Sequence, residues 1–337
     1  MKSFISRMLA LSLAAAIPAA SLSAELTPAD RAYLKELSAE HGVPLQSLEK
    51  AYREARIRPS IIKAMNRPGE AKPWYEYRKI FITDKRIKDG VSFMKEWRYS
   101  LEDAYRQTGV NPEIITAIIG VETGYGANMG KYEVLDALYT LGFNYPKRGK
   151  YFRGEFANFV KLADREGWGY RDKLGSYAGA MGMCQFMPSN YLRLTTDFDH
   201  DGKVDLFKSP VDAIGSVAKY FEKSGWVRDG QSAWEARIGG GSVPSSLLLD
   251  KSLKADVPYS RLTAAGITAV GDKNLHPDSY VKVLRLEDRD SPHYYVVSKN
   301  FYVITRYNHS PLYAMAVYQL SEKIRAELEK ENRRTDR

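Results

Sequence analysis

The chain has a single cysteine, Cys184, in 337 residues. That excludes an intramolecular disulfide and leaves no cysteine near the N-terminus to carry a lipid anchor. Long apolar runs are equally scarce. The stretch from Met8 to Ile17 is too short to span a bilayer comfortably, and no later one approaches the roughly 20 apolar residues that a membrane helix needs. Repeats, low-complexity tracts and nucleic-acid-binding motifs are missing too, so solenoid, disordered and nucleic-acid-binding classes fall away.

Lys2 and Arg7 precede the apolar run, and small residues follow it up to Ala24, which predicts a signal peptide over 1–24 cleaved between Ser21 and Ala24. The mature chain is expected to be soluble, periplasmic and monomeric. Its net charge falls from +9 to +7 when Lys2 and Arg7 leave, and the scattered positive charge suits an acidic cell-wall polymer. With 44% hydrophobic content the chain can bury a large core. Its 23 tyrosines offer aromatic faces for sugar rings, although most belong to ordinary core and surface.

One stretch organises the rest. Asn111 and Pro112 read as N-cap and first residue of a helix, on which Ile115, Ile118, Ile119 and Glu122 share one stripe until Gly124 and Gly126 end it. A carboxylate thus occupies a core position in the last turn, where burial and the negative end of the helix dipole both raise its pKa. Glu122 is then either a general acid kept protonated near neutral pH or a core acid neutralised by a nearby Lys or Arg; spacing leaves both open.

In chain order, Thr27 and Asp30 open a helix that His41-Gly42 closes, and another follows Pro44. Residues 57–75 read as a short helix and a loop. Thr83 caps one long helix carrying Ile87, Val91, Met94, Trp97, Leu101 and Tyr105 inward. After a helix over 132–141, Phe143–Arg148 reads as a loop mixing aromatic and basic residues, and Tyr151-Phe152 begins a further helix. The small-residue stretch 175–188 permits close packing, with Ser176 and Gln185 as its polar exceptions. Asp197, Asp199, Asp201, Lys203 and Asp205 fall on the first nine positions of a calcium loop, but Lys208 replaces the closing acid and Asp212 belongs to the capping of the helix after Pro210. From Asp229 the texture becomes β-rich, with strands expected at 280–286 and 293–297. Ser310-Pro311 restarts a helix that runs into a charged, frayed tail.

Gly120-Val-Glu-Thr-Gly-Tyr-Gly126, Phe143-Asn-Tyr-Pro146, Gly179-Ala-Met-Gly182 with Gln185-Phe-Met-Pro188, Pro210-Val-Asp-Ala-Ile-Gly-Ser216 and Arg306-Tyr-Asn-His-Ser310 follow one another in this order. In this set the chain closely resembles the B-type lytic murein transglycosylases over nearly its whole mature length. The resemblance implies a mainly α protein, with a lysozyme-like helical core, an additional helical domain and a small β-rich insertion. The segments are a helical region 25–108, a catalytic core 109–228, a β-rich domain 229–303 and a C-terminal helix 304–337. It implies cleavage of the β-1,4 bond between N-acetylmuramic acid and N-acetylglucosamine with 1,6-anhydromuramoyl products, Glu122 acting first as acid and then as base. It also assigns Ser176, Gln185, Tyr220, Tyr307, Asn308 and Tyr313, with Lys147, Arg148 and Tyr151, to the glycan groove. Lysine at 147 keeps the charge of the family's arginine but loses its planar fork. No cofactor is required; the family's calcium loop is present, but one extra residue before Pro210 removes the acid that would close it, so a structural calcium would sit in a weakened site. The partners implied are peptidoglycan strands and proteins of wall synthesis or division. The competing readings are a hydrolytic muramidase and a non-catalytic wall-binding protein.

Overall fold

The computed structural model describes residues 26–66, 72–271 and 275–335; the expected signal segment 1–24 lies outside them. Among the described residues no helix is long and apolar enough to cross a membrane. The chain begins with α1 (Pro28–His41), where the Thr27 hydroxyl accepts the Asp30 N–H at 3.1 Å and Gly42 takes a left-handed φ of 61° at the end. Three more helices follow, α2 (Leu45–Glu54), α3 (Pro59–Met65) and α4 (Trp74–Phe81). α4 lies largely beyond the span read as a loop, and it buries Trp74 and Tyr77.

The single long helix expected after Thr83 is two, α5 (Asp84–Glu96) and α6 (Arg98–Thr108). Trp97 breaks it at φ −105°, ψ 24°. The turn redirects the inward face, so that Leu101 and Ala104 are buried while Tyr105 points outward and donates to Asp229 at 2.5 Å. A periodic stripe does not register such a break, because both halves keep helical spacing.

The centre of the protein is α7 (Pro112–Thr123), with nine of its residues buried and packed against α5 and α6, while α8 (Val134–Asn144) and α9 (Gly149–Glu166) pack on each other. The predicted loop 143–148 is shorter than expected, since α8 runs to Asn144 and Pro146–Arg148 forms one 3-10 turn. A small antiparallel pair, β1 (Tyr132–Glu133) and β2 (Leu174–Gly175), precedes α10 (Pro188–Leu194) and α11 (Pro210–Lys223).

Beyond residue 229 an antiparallel sheet of order β4-β6-β7-β3-β5 forms from β3 (Ala233–Ile238), β4 (Val257–Pro258), β5 (Ile267–Ala269), β6 (Tyr280–Leu286) and β7 (His293–Val297), with α12 (Tyr259–Ala264) beside it. Trp234, Leu262, Val281, Val283 and Val296 give it a small core of its own. α13 (Lys299–Tyr307) then leads back, and α14 (Pro311–Thr335) continues as helix through the stretch expected to fray. Tyr313, Val317, Leu320 and Ile324 of α14 join the large core shared with the N-terminal helices and α7.

One ionic knot ties the first helices to that core. Asp136 on α8 is fully buried; it accepts the Arg56 N–H at 2.9 Å, Arg58 Nε at 2.7 Å and Arg171 Nη1 at 3.1 Å. Glu133 pairs with the same two guanidinium groups. Burial alone would raise the Asp136 carboxyl, but its hydrogen bonds to Glu133, the Arg56 N–H, Arg171 and Arg58 outweigh burial and hold it below the ordinary range. Removing one partner of such a pair strands the other charges, so Asp136→Ala should cost about 3–5 kcal/mol in a urea melt at pH 7. Because the folded pKa is depressed, the stabilisation is complete above the ordinary value of about 3.9 and is lost as pH falls through the folded one. The deficit should therefore shrink below pH 4; an undiminished deficit at pH 2 would contradict the ionic account.

Candidate active site

α7 stops where Gly124 takes φ 59° and returns its N–H to Gly120 O, so Glu122 sits in the last turn beside a tight loop, 124–130. Position 120 must be glycine, since a Cβ there would meet the Tyr125 ring at 2.6 Å. Tyr125, held at φ 63°, sends its hydroxyl to the Arg86 carbonyl at 2.8 Å and so fastens the loop to α5. Thr123 donates to the Met183 carbonyl at 3.1 Å and fastens α7 to the small-residue stretch.

Glu122 as a residue is half-buried, while its carboxyl end sits deep. Tyr313 donates to Oε1 at 2.6 Å, leaving Oε2 to carry a proton. Burial raises the carboxyl to about 7, against the Tyr313 hydrogen bond, which lowers it. Among the described residues no Lys or Arg pairs with it, so the core-acid alternative loses its neutralising partner. Glu122 lines a cleft of ≈ 350 Å³ with Thr83, Lys85, Arg86, Asp89 and Asn128. Asp89 is the other carboxylate of that cleft; Lys85 holds it at 2.6 Å.

The other expected groove residues fall into three groups. Gln185 adopts φ 50°, rare for a side-chain-bearing residue, and its Nε2 donates to Met129 O at 3.1 Å and Gly182 O at 3.0 Å. Ser176 Oγ accepts the N–H groups of Ala178 and Ala180 at 3.2 and 3.0 Å. Both therefore stand beside the loop that follows Glu122: a Cβ at Gly130 would meet Gly175 O, next to Ser176, at 2.0 Å.

Tyr220 and Tyr307 form the second group, with ring centroids 4.8 Å apart against Phe186. Tyr307 donates to the Cys184 carbonyl at 2.7 Å, and Tyr220 to that of Arg306. Burial raises the Tyr307 phenol, and Glu122 contributes, which puts this pair within electrostatic reach of the carboxyl. Asn308 is exposed at the α13–α14 turn.

In the third group Arg148 lies 4.6 Å over the Tyr151 ring, and Lys147 is exposed beside it. Tyr151 feels the Tyr220 phenol, so this basic turn adjoins the aromatic pair. The wall from Thr83 to Asp89 was not foreseen. Its residues approach Glu122 only through the packing of α5 on α7, and no motif marks them.

The calcium loop is rearranged. Carboxylates of Asp197, Asp199 and Asp212 come within 4.8 Å of one another, whereas Asp205 Oδ1 accepts the N–H groups of Phe207 and Lys208 and Asp201 Oδ1 that of Lys203. It is the carboxylate of the buried Asp212, and not the side chain of Lys208, that approaches Asp197 and Asp199, while also accepting the N–H groups of Phe198 and Asp205, each at 2.8 Å. Three converging carboxylates suit a hard divalent cation.

A raised acid pKa is also a stability statement. Because the folded pKa is raised, stability is lost as pH rises from the ordinary value of 4.5 to about 7, on the order of 3 kcal/mol in all, and the loss is constant above that range. Glu122→Gln should therefore melt higher than the native chain at pH 8, with the gap closing below about pH 4.5. Equal melting temperatures at pH 8 would argue against a desolvated carboxyl.

Comparison with known proteins agrees with this geometry. The family model described as Transglycosylase SLT domain matches residues 27–322. Membrane-bound lytic murein transglycosylase B of Escherichia coli (strain K12) is 40% identical over 307 residues, 88% of this chain and 82% of its own. The X-ray structure of catenated lytic transglycosylase SltB1 from Pseudomonas aeruginosa has a TM-score of 0.83 at 40% identity, over 90% of this chain and 98% of that one. SltB3 from the same organism, in complex with NAG-anhNAM-pentapeptide, has a TM-score of 0.74 at 26% identity, over 88% and 78%. With its lysozyme-like helical core and the match of its sequence to the family over most of its length, the chain belongs to the lytic murein transglycosylases and is an enzyme of peptidoglycan cleavage.

Proposed function

We propose that this chain cleaves the β-1,4 bond between N-acetylmuramic acid and N-acetylglucosamine by intramolecular transfer, with Glu122 as acid and then base. The proton on Oε2 goes to the glycosidic oxygen as the C1–O bond breaks and the N-acetylglucosamine leaves as its alcohol. The Glu122 carboxylate then takes the proton of the C6 hydroxyl as that oxygen bonds C1, so the acid is regenerated and no water is consumed. The observation that carries this reading is a carboxyl raised to about 7 in a cleft whose other carboxylate, Asp89, is held by Lys85 and does not perturb it. Two-carboxylate hydrolysis needs a second, independently placed acid to activate water or to attack C1. Tyr313 keeps the carboxyl oriented through both proton transfers. Ser176, Gln185, Tyr220, Tyr307, Asn308 and the turn of Lys147, Arg148 and Tyr151 hold the glycan over it. The NAG-anhNAM-pentapeptide bound by SltB3 supports an anhydro product here.

Digests of purified sacculi should yield muropeptides lighter by one water than the reducing-end products of a muramidase. Reducing ends would favour hydrolysis, and binding without release would favour a wall-binding protein. Glu122→Gln should lose about 10²–10⁴-fold in turnover. Wild-type kcat/KM should fall as pH rises through about 7, and Tyr313→Phe, which removes the bond that lowers the acid, should move that limb upward.

We further propose that Asp197, Asp199 and Asp212 hold a structural calcium ion pinning the loop to the start of α11. Calcium should then raise the melting temperature of the native chain and not that of Asp197→Asn. No rise in the native chain would exclude the site.

A further inference from the structure

The turn between α13 and α14 has two faces. Tyr307 and Tyr313 look inward, to Cys184 and Glu122. His309 and Pro311, between them in sequence, line a separate cleft of ≈ 690 Å³ against β6 and the loop before β4. Its floor is aliphatic, including Leu249, Leu253 and Leu284, and its lining contains no Phe, Tyr or Trp. Pyranose rings favour aromatic faces such as those of Tyr220 and Tyr307, so a second sugar subsite does not suit it.

The rim carries both signs of charge. Arg285 pairs with Glu287 at 2.9 Å, and Asp250 lies 3.8 Å from Lys282. Lys251 on the rim, and Arg306 behind it, have no ion pair among the described residues. Arg306 Nη2 and His309 Nδ1 lie 2.7 Å apart, and Arg306 Nε is buried without a partner. Arginine only donates, so Nδ1 accepts and the neutral His309 proton sits on Nε2 as a hydrogen-bond donor.

We propose that this cleft receives the stem peptide of a peptidoglycan strand whose glycan lies over Glu122, an inference that rests on the catalytic reading above. Alanyl methyl groups meet the leucine floor. Peptide carboxylates meet Lys251, His309 and Arg285, and the ammonium of a diamino acid meets Asp250 or Glu287. The two sites share the start of α14: Pro311 lines the cleft, and Tyr313, two residues on, bonds Glu122. The volume lies within the roughly 300–1,000 Å³ common to ligand sites.

The test pairs binding with turnover in the double variant Lys251→Glu/Arg285→Glu, both positions being exposed. Calorimetry with the free stem tetrapeptide should show binding to the native chain and at least fivefold weaker binding to the variant. On peptide-bearing strands the variant should raise KM at least fivefold, and on strands stripped of peptide by an amidase it should match the native chain. Undetectable tetrapeptide binding by the native chain, equal binding by both proteins, or an equal loss on both kinds of strand would overturn the site. Intact peptide binding with no product from either strand would instead overturn the catalytic reading and leave the peptide site standing.

Discussion

The hydrogen bond from Tyr313 to Glu122 joins residues 191 positions apart and makes the last helix part of the candidate active site. Because α14 must lie along α7 for that bond to form, the chain is obliged to return to its own core after the β-sheet excursion. The bond also constrains the chemistry. Burial disfavours the ionised carboxyl and the phenolic donor partly restores it, and the balance leaves an acid near 7 that is able both to give and to accept a proton.

Asp136 and Glu122 show opposite solutions to the burial of a carboxyl. Asp136 has two guanidinium groups and a backbone N–H, and it is held ionised as a structural tie between the N-terminal helices and α8. Glu122 has one neutral phenol, and it is pushed toward protonation. The difference lies in the number of cationic donors, which differs because α8 faces Arg58 and Arg171 whereas the Glu122 end of α7 faces tyrosines.

The walls of the cleft depend on backbone proximity. The missing Cβ at Gly120 admits the Tyr125 ring, and the missing one at Gly130 admits the Gly175 carbonyl. These approaches bring the loop 124–130 against the strip that carries Ser176 and Gln185. Gln185 is kept in a left-handed conformation, which two hydrogen bonds from its own amide help to offset.

Much of this was legible in order along the chain. The stripe Ile115, Ile118, Ile119 and the glycines after Glu122 gave the central helix and its end, because helical spacing and left-handed caps are local properties. The strands 280–286 and 293–297 were legible from alternation for the same reason. Local patterns could not register the break at Trp97, the helix Trp74–Phe81 behind a proline-rich stretch, or the approach of Asp212 to Asp197 and Asp199 in the acidic loop, each of which depends on a partner distant in sequence or on packing. The sequence by itself determined which carboxyl stands at the end of which helix, together with the family motifs around it. Only the tertiary structure decided that a tyrosine rather than a guanidinium group hydrogen-bonds that carboxyl, since its pKa depends on groups that folding brings within a few ångströms from across the whole chain.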